Sequence, residues 1–101
     1  MIEWFTPNLI ILIFWGRRIT ILLKTLFILQ KIEKALQNAG ASMEHVVRTR
    51  MFVIDISRFE SYARAHGEVF KNIRPCTSMY EIKALVAPEY LIEIEATAII
   101  I

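Results

Sequence analysis

The chain has 101 residues, which suffices for one domain at most, because single hydrophobic cores usually need roughly 100–150 residues. Its apolar fraction of 55% excludes an intrinsically disordered protein, and its charged fraction of 22% is that of an ordinary globular domain. One cysteine excludes an internal disulfide, and with only two histidines no metal-binding cluster is expected. A net charge of +2 gives no reason to expect a nucleic acid partner.

The first thirty residues differ in composition from the rest of the chain. They contain 19 apolar residues without any alanine or valine, whereas residues 31–101 contain nine alanines and five valines. They also carry three basic residues against one acidic residue, while the remainder carries nine of each. We therefore expect an atypical hydrophobic segment, 1–27, followed by a domain, 28–101.

Three interpretations of the N-terminal segment stay open. The run Leu9–Trp15 is too short for a transmembrane helix, which needs about 20 apolar residues, because Gly16 and Arg17 follow it. The first interpretation is a buried strand over Leu9–Phe14, a turn at Gly16 and then a helix. The second is a membrane-surface hairpin with its basic residues at the lipid headgroups. The third is a segment foreign to this domain, as a gene-model error or a shifted reading frame would produce.

A helix is predicted from Ile19 onward. The apolar residues that recur at three- and four-residue steps, and so share one face, are Leu22, Leu26, Leu29, Ile32, Leu36 and Ala39. Gly40 is typical of the left-handed residue that ends a helix. The β-branched, alternating stretch Val46–Ile54 then predicts a strand. One face of this strand would carry Val47, Thr49, Met51 and Val53, and the other Arg48, Arg50 and Phe52.

A second helix and two more strands complete the pattern. Ser57 and Glu60 fit a capping box that opens a helix, which ends before Pro75. The apolar side of this helix is predicted to carry Phe59, Tyr62, Ala63, His66 and Phe70. Thr77–Leu85 and Leu91–Ile101 are predicted strands. The order helix, strand, helix, strand, strand indicates an α+β fold with two helices on one face of a sheet.

Three blocks of residues resemble a known family. The first block contains Ile32-Glu33-Lys34-Ala35-Leu36, Ala39-Gly40-Ala41-Ser42 and the strand from Val46 to Asp55. The second is Arg74-Pro75-Cys76-Thr77-Ser78-Met79, and the third is Leu91-Ile92-Glu93-Ile94-Glu95-Ala96. In order and spacing they resemble the Rid family, the YjgF-like reactive-intermediate imine/enamine deaminases, over about residues 28–101.

The resemblance implies a chorismate-mutase-like fold and a cytoplasmic homotrimer with small-molecule clefts between its subunits. Active members of the family hydrolyse imines and enamines to keto acids and ammonia without a metal or other cofactor. In that family an arginine after the proline holds the substrate carboxylate, and a glutamate of the last strand handles the water. These roles suit a permanently charged, bidentate guanidinium and a carboxylate close to an iminium carbon.

Carried over by motif, the glutamate falls on Glu93 and the arginine position falls on Thr77. The resemblance therefore implies Glu93 as the catalytic residue, and Arg74, Cys76, Thr77 and Ser78 as substrate-binding residues. Threonine has a hydroxyl but no charge, so the carboxylate clamp is missing from its place and we expect weak activity. Arg74, on the other side of Pro75, is the charged group next to that position.

Each of these residues also has a plainer interpretation. Glu93 and Glu95 share one strand face and could be solvated carboxylates, and Cys76 could be a small buried hydrophobic residue rather than a reactive thiol. His66 is expected to be a hydrogen-bonded packing residue and His45 a loop residue. Arg48 and Arg50 could bind phosphate, but salt bridges or a subunit interface are favoured.

Four functions are weighed on this basis. The first is a cofactor-free imine deaminase, supported by Glu93 and weakened by Thr77. The second is a trimeric module that binds small ligands or proteins without turnover, which the loss of the arginine favours. A ribonuclease, a label used for part of the family, is disfavoured by the neutral domain. Membrane attachment through the first thirty residues is the fourth.

Overall fold

The structure, a computed structural model, describes residues 8–14 and 21–100, with the backbone alone in the first of these ranges. It contains β1 (Asn8–Phe14), α1 (Ile21–Asn38), β2 (Val46–Val53), α2 (Phe59–Phe70), β3 (Cys76–Glu81) and β4 (Tyr90–Ala98). Short 3₁₀ turns at Met43–His45 and Ile56–Arg58 precede β2 and α2. From residue 21 onward the predicted order of helices and strands is confirmed.

One four-stranded sheet has the order β1-β4-β2-β3. β4 pairs antiparallel with β1 and with β2, whereas β2 and β3 are parallel and α2 connects them. The strand predicted at Leu9–Phe14 is confirmed as β1, but its predicted turn at Gly16 lies outside the described residues. The predicted division at residue 28 stays a prediction, and that residue lies inside α1.

α1 covers the sheet with the side predicted from its periodicity. Of the predicted face, Leu29, Ile32 and Leu36 are almost completely buried, Leu22 and Leu26 are half-buried, and Ala39 lies beyond the helix and is exposed. Ile28, outside the predicted face, is completely buried as well. The helix ends as predicted at Gly40, whose φ of 85° is left-handed. The amides of Gly40 and Ala41 donate to the carbonyls of Gln37 and Leu36, which satisfies two terminal acceptors of the helix.

The faces of β2 differ from the prediction at one residue. Thr49, Met51 and Val53 are buried against the helices as expected, but Val47 is exposed. The register between β2 and β4 shifts between Val46 and Arg48, as in a β-bulge, so Val46 takes the buried position instead. We call the face that carries Arg50 and Phe52, opposite the helices, the open face of the sheet.

The start and the buried side of α2 also correct the sequence prediction. The predicted cap Ser57 lies inside the 3₁₀ turn, whose cap is Asp55, a carboxylate that accepts the Ser57 amide at 3.0 Å. Tyr62 and Phe70 are buried as expected, whereas Phe59 and Ala63 are exposed and Ala65 is buried in their place. The buried side of α2 is therefore rotated toward Ala65 and away from Ala63 relative to the prediction.

The last two strands are shorter than predicted. β3 ends at Glu81 rather than Leu85, and β4 ends at Ala98, with residue 101 outside the described residues. In the described ranges, no helix combines the length and the apolar character needed to cross a membrane.

Candidate functional site

The two central residues of the predicted site lie on opposite faces of the sheet. Thr77 pairs with Thr49 on the side covered by the helices. Glu93 pairs with Phe52 on the open face, because its neighbours Ile92 and Ile94 occupy the buried face of β4. A single chain therefore does not bring Thr77 and Glu93 together.

Thr77 belongs to a cluster of two hydroxyls and one imidazole. Its Oγ1 lies 2.8 Å from Oγ1 of Thr49 and 3.3 Å from Nε2 of His66, and the Thr49 hydroxyl lies 2.8 Å from the same Nε2. The Thr77 hydroxyl also reaches the carbonyl of Pro75 at 3.1 Å. We call Thr49, His66 and Thr77 the hydroxyl–imidazole cluster. It extends from a fully buried threonine to an exposed one.

His66 is held firmly in this cluster. Its ring lies against Phe70 with centroids 4.6 Å apart, and Nε2 is hydrogen-bonded, so the prediction of a satisfied packing histidine is confirmed. Burial lowers the pKa of the imidazole below its usual value of 6.5. The ring is therefore neutral at pH 7, and a neutral imidazole can take up a proton. The sequence prediction of site residues did not include this histidine.

Arg74 joins α2 to β3 in an unusual backbone conformation. Its φ of 56° is left-handed, and its amide donates to the Phe70 carbonyl at 2.8 Å, which closes the end of the helix. A non-glycine residue in this region carries strain of order 1 kcal/mol or more. Arg74 is exposed and lies two residues before Cys76, the first residue of β3.

Cys76 and Ser78 alternate with Thr77 and therefore share the open face, beside Arg48 and Arg50 in the parallel register. Cys76 is a free, exposed thiol, so its interpretation as a small buried hydrophobic residue is wrong. It lies in an edge strand, where the helices do not cover it. Ser78 is half-buried. The structure thus separates the predicted binding residues, with Thr77 on one face and Cys76 and Ser78 on the other.

On the open face, Glu93 lies beside an ion pair. The guanidinium of Arg50 contacts the carboxylate of Glu95, which favours the salt-bridge interpretation of this arginine. Burial, and secondly the negative charge of Glu95, raise the pKa of Glu93 above its usual value of 4.5. Glu93 and Glu95 are both half-buried, so they are not the fully solvated carboxylates of the plainer interpretation. A carboxylate with a raised pKa is a stronger base.

An aromatic pair borders Glu93. Phe52 and Tyr80 stack across β2 and β3 with ring centroids 5.5 Å apart, and Phe52 is also the cross-strand neighbour of Glu93. Tyr80 is exposed. This pair was missed from the sequence because it depends on the parallel register of two strands that a helix separates.

The arrangement favours acid–base chemistry by side chains. In the described part of the chain, no three His, Cys, Asp or Glu residues come together as a metal would require. The proton-accepting groups near the predicted site are a carboxylate on the open face and a neutral imidazole on the helix side.

Two helices on one face of a four-stranded sheet, with a parallel β2–α2–β3 unit, define the α+β class predicted above. Residues 21–100 match the model of the family described as Endoribonuclease L-PSP. The chain belongs to this family, the YjgF or Rid family, and both the predicted family and the predicted fold are confirmed.

Solved structures agree with this assignment. The Mycobacterium tuberculosis protein Rv2704, a member of the YjgF/YER057c/UK114 family, is 43% identical, with a TM-score of 0.79 over 90% of this chain and 79% of its own. A Thermotoga maritima protein, described provisionally as an endoribonuclease, is 27% identical, with a TM-score of 0.77 over 84% of this chain and 66% of its own.

A curated relative is less similar. An uncharacterized protein of Streptomyces coelicolor is 28% identical over 65 residues, which cover 64% of this chain. The match spans 48% of that relative, so the chain corresponds to about half of its length.

Proposed function

We propose that the protein binds small carboxylate-bearing molecules in clefts between the subunits of a homotrimer and hydrolyses small imines and enamines there, weakly and without a cofactor. The observation that supports this proposal is the placement of Thr77 and Glu93 on opposite faces of one sheet. Two residues so placed can meet at one substrate only when they come from two copies of the chain. A cytoplasmic location is part of the proposal.

Glu93 is the proposed catalytic residue. Its raised pKa makes it a better proton acceptor than an ordinary surface glutamate. In the proposed step, the oxygen of water bonds to the iminium carbon, the π electrons of the C=N bond move to nitrogen, and Glu93 takes one proton from the water. The carbinolamine then releases ammonia and becomes the keto acid.

Substrate anchoring is the weak part of the proposed site. Thr77 has no charge with which to hold a carboxylate, and a charge-assisted hydrogen bond contributes about 1.5–3 kcal/mol, or roughly ten- to a hundredfold in binding. The proposed binding residues Arg74, Cys76, Thr77 and Ser78 supply one cation and three uncharged polar groups. We therefore expect a high KM rather than an absence of binding.

A binding module without turnover is the second candidate. The observation that favours it is the engagement of the Thr77 hydroxyl with Thr49, His66 and Pro75, which competes with any contact to a ligand. Ribonuclease activity is not proposed, because residues 31–101 carry equal numbers of basic and acidic groups and offer no charge excess for a phosphate backbone.

The test generates 2-imino acids of two to five carbons in situ with a dehydratase and follows keto-acid release by semicarbazone absorbance. Glu93→Gln should lower the protein-catalysed rate of keto-acid release by about 100-fold, as expected for loss of a general base. Glu89→Gln, which removes an exposed carboxylate from the loop before β4, is the matched control and should leave the rate unchanged. Full activity in Glu93→Gln would contradict the assignment, and ligand binding without any turnover would favour the binding module.

A further inference from the structure

The hydroxyl–imidazole cluster forms a continuous path of hydrogen bonds from the exposed Thr77 to the half-buried ring of His66. The exposed Thr77 hydroxyl lies 2.8 Å from the Thr49 hydroxyl, which in turn lies 2.8 Å from Nε2 of His66. Thr49 is completely buried, so its hydroxyl can exchange protons with these neighbours but not with bulk water. A hydroxyl both donates and accepts, so two hydroxyls in series can pass a proton along the chain.

The distances allow the hydrogen bonds of the cluster to point in either direction. When Nε2 is unprotonated, Thr77 donates to Thr49 and Thr49 donates to Nε2. When Nε2 carries a proton, it donates to Thr49, Thr49 donates to Thr77, and Thr77 donates to the Pro75 carbonyl at 3.1 Å. Every hydroxyl hydrogen has an acceptor in both states, so passing a proton leaves no donor without a partner.

We propose that Thr77, Thr49 and His66 form a proton relay that removes the hydroxyl proton of the carbinolamine during imine hydrolysis, an inference that rests on the proposed function. In this relay Thr77 contacts the carbinolamine, and Thr49 and His66 act through Thr77. Glu93, from a neighbouring copy, handles the first proton of the attacking water. Thr77 stands at the position of the family's arginine, so it offers a proton path where a charge would otherwise hold the substrate.

The protons balance over the whole reaction. After Glu93 has taken a proton from water, it returns that proton to the nitrogen, and the C–N bond breaks with its electron pair leaving on ammonia. The C=O bond forms as the hydroxyl proton passes to Thr77, the Thr77 proton passes to Thr49, and the Thr49 proton passes to Nε2. The resulting imidazolium then returns its proton through Thr49 and Thr77 to ammonia, so an iminium ion and water become a keto acid and ammonium.

The relay needs a neutral imidazole at working pH. The groups that face the ring are Thr49 from β2, Thr77 from β3 and Phe70 from α2, none of which titrates near neutral pH. Among the described residues, no charged group contributes to the lowered pKa, which burial causes. Below that pKa, Nε2 already holds a proton and cannot accept another, so kcat should fall as the pH is lowered through it.

The experiment compares His66→Gln and Thr49→Val with Thr49→Ser in the complete chain. Glutamine cannot take up a proton, so His66→Gln removes the end of the relay, including its direct 3.3 Å contact with the Thr77 hydroxyl. In the coupled imine assay we expect His66→Gln to lose about 100-fold in kcat with little change in KM. Thr49→Val should lose less, because the direct contact between Thr77 and His66 remains, and Thr49→Ser should stay close to wild type. The wild-type acidic limb in kcat should disappear in His66→Gln. Equal kcat values and pH profiles for wild type and His66→Gln would overturn the relay while leaving the proposed function intact.

A second measurement does not depend on turnover. Nitrogen NMR of His66 at pH 7 should show the proton on Nδ1 and an unprotonated Nε2, the state that can accept. A proton on Nε2 in the neutral ring would overturn the direction of the relay. Absence of turnover by the wild type on every imine would instead overturn the proposed function and, with it, the catalytic use of the relay.

Discussion

Arg50 and Glu95 form an ion pair across β2 and β4, on the same face as Glu93. The Glu95 charge is the second cause, after burial, of the raised Glu93 pKa. We expect Glu95→Gln to lower the pKa of Glu93, because it removes a nearby negative charge and frees the Arg50 guanidinium. Carbon NMR of the Glu93 carboxyl across a pH titration measures the shift, and Glu81→Gln in β3 is the control. A Glu93 pKa that stays constant or rises in Glu95→Gln would contradict this account.

Thr77→Arg should separate anchoring from proton transfer. A guanidinium at this position can hold a substrate carboxylate and should lower KM by roughly ten- to a hundredfold. The same substitution removes the exposed hydroxyl of the relay, so kcat should not rise. Steady-state kinetics with in situ imines measures both constants. Asn72→Arg, which adds the same charge to an exposed turn after α2, should change neither. A rise in kcat for Thr77→Arg would contradict the relay.

The half-buried imidazole of His66 should make folding stability depend on pH. Because the His66 pKa is lowered in the folded state, the unfolded chain binds the proton more readily between that pKa and about 6.5. The free energy of unfolding should therefore fall as the pH is lowered through this window. In His66→Asn this contribution should be missing. Urea unfolding between pH 5 and pH 7.5 tests the sign, and a wild-type stability that rises toward pH 5 relative to His66→Asn would contradict it.

Two glycines should respond oppositely to alanine. Gly40 has a φ of 85°, which alanine tolerates poorly, so Gly40→Ala should cost about 1 kcal/mol. Gly67 lies within α2, and a Cβ added there would meet nothing within 4 Å. Gly67→Ala should therefore stabilise by about 0.5–1 kcal/mol, because alanine loses less backbone entropy in a helix. Chemical denaturation of both variants provides the comparison, and equal shifts would contradict the assigned backbone conformations.

The proposed clefts require an assembled protein. Thr77 and Glu93 can share a substrate only between copies, so light scattering should give the mass of an oligomer, which is a trimer in the proposed assembly. Mixing Thr77→Val protein with Glu93→Gln protein under exchange conditions should restore part of the activity, since some clefts then combine two intact partners. A stable monomer with full activity would contradict the inter-subunit site.

The sequence predicts the elements better than their contacts. The order of helices and strands, the buried side of α1 and the helix end at Gly40 follow from local periodicity and backbone preference. The exposure of Val47 does not, because a bulge against β4 shifts one residue and depends on a strand more than forty positions away. The cap at Asp55 was missed because a 3₁₀ turn intervenes before α2.

The site was predictable only in part. The motifs place Glu93 and Thr77 in their strands, but the hydrogen bonds of Thr77 join residues that are 28 and 11 positions apart in sequence. They depend on the parallel register of β2 and β3 and on the rotation of α2 above them, which no local pattern encodes. Polar residues at buried positions, here Thr49 in an otherwise apolar strand face, are the signal that could have indicated the cluster.

The position of β4 affects how the chain can be made. Among the described strands, β4 is the last in chain order, yet it lies between β1 and β2 and pairs with both. Until it emerges, β1 lacks the described strand with which it pairs, and its continuous apolar run from Leu9 to Phe14 is left exposed to other chains. The pairing of β1 with β4 joins strands that are far apart in sequence, and such pairing also slows folding. Newly made chains should therefore depend on chaperones until β4 has been made, and a stop codon before Tyr90 should yield insoluble fragments rather than a smaller folded domain.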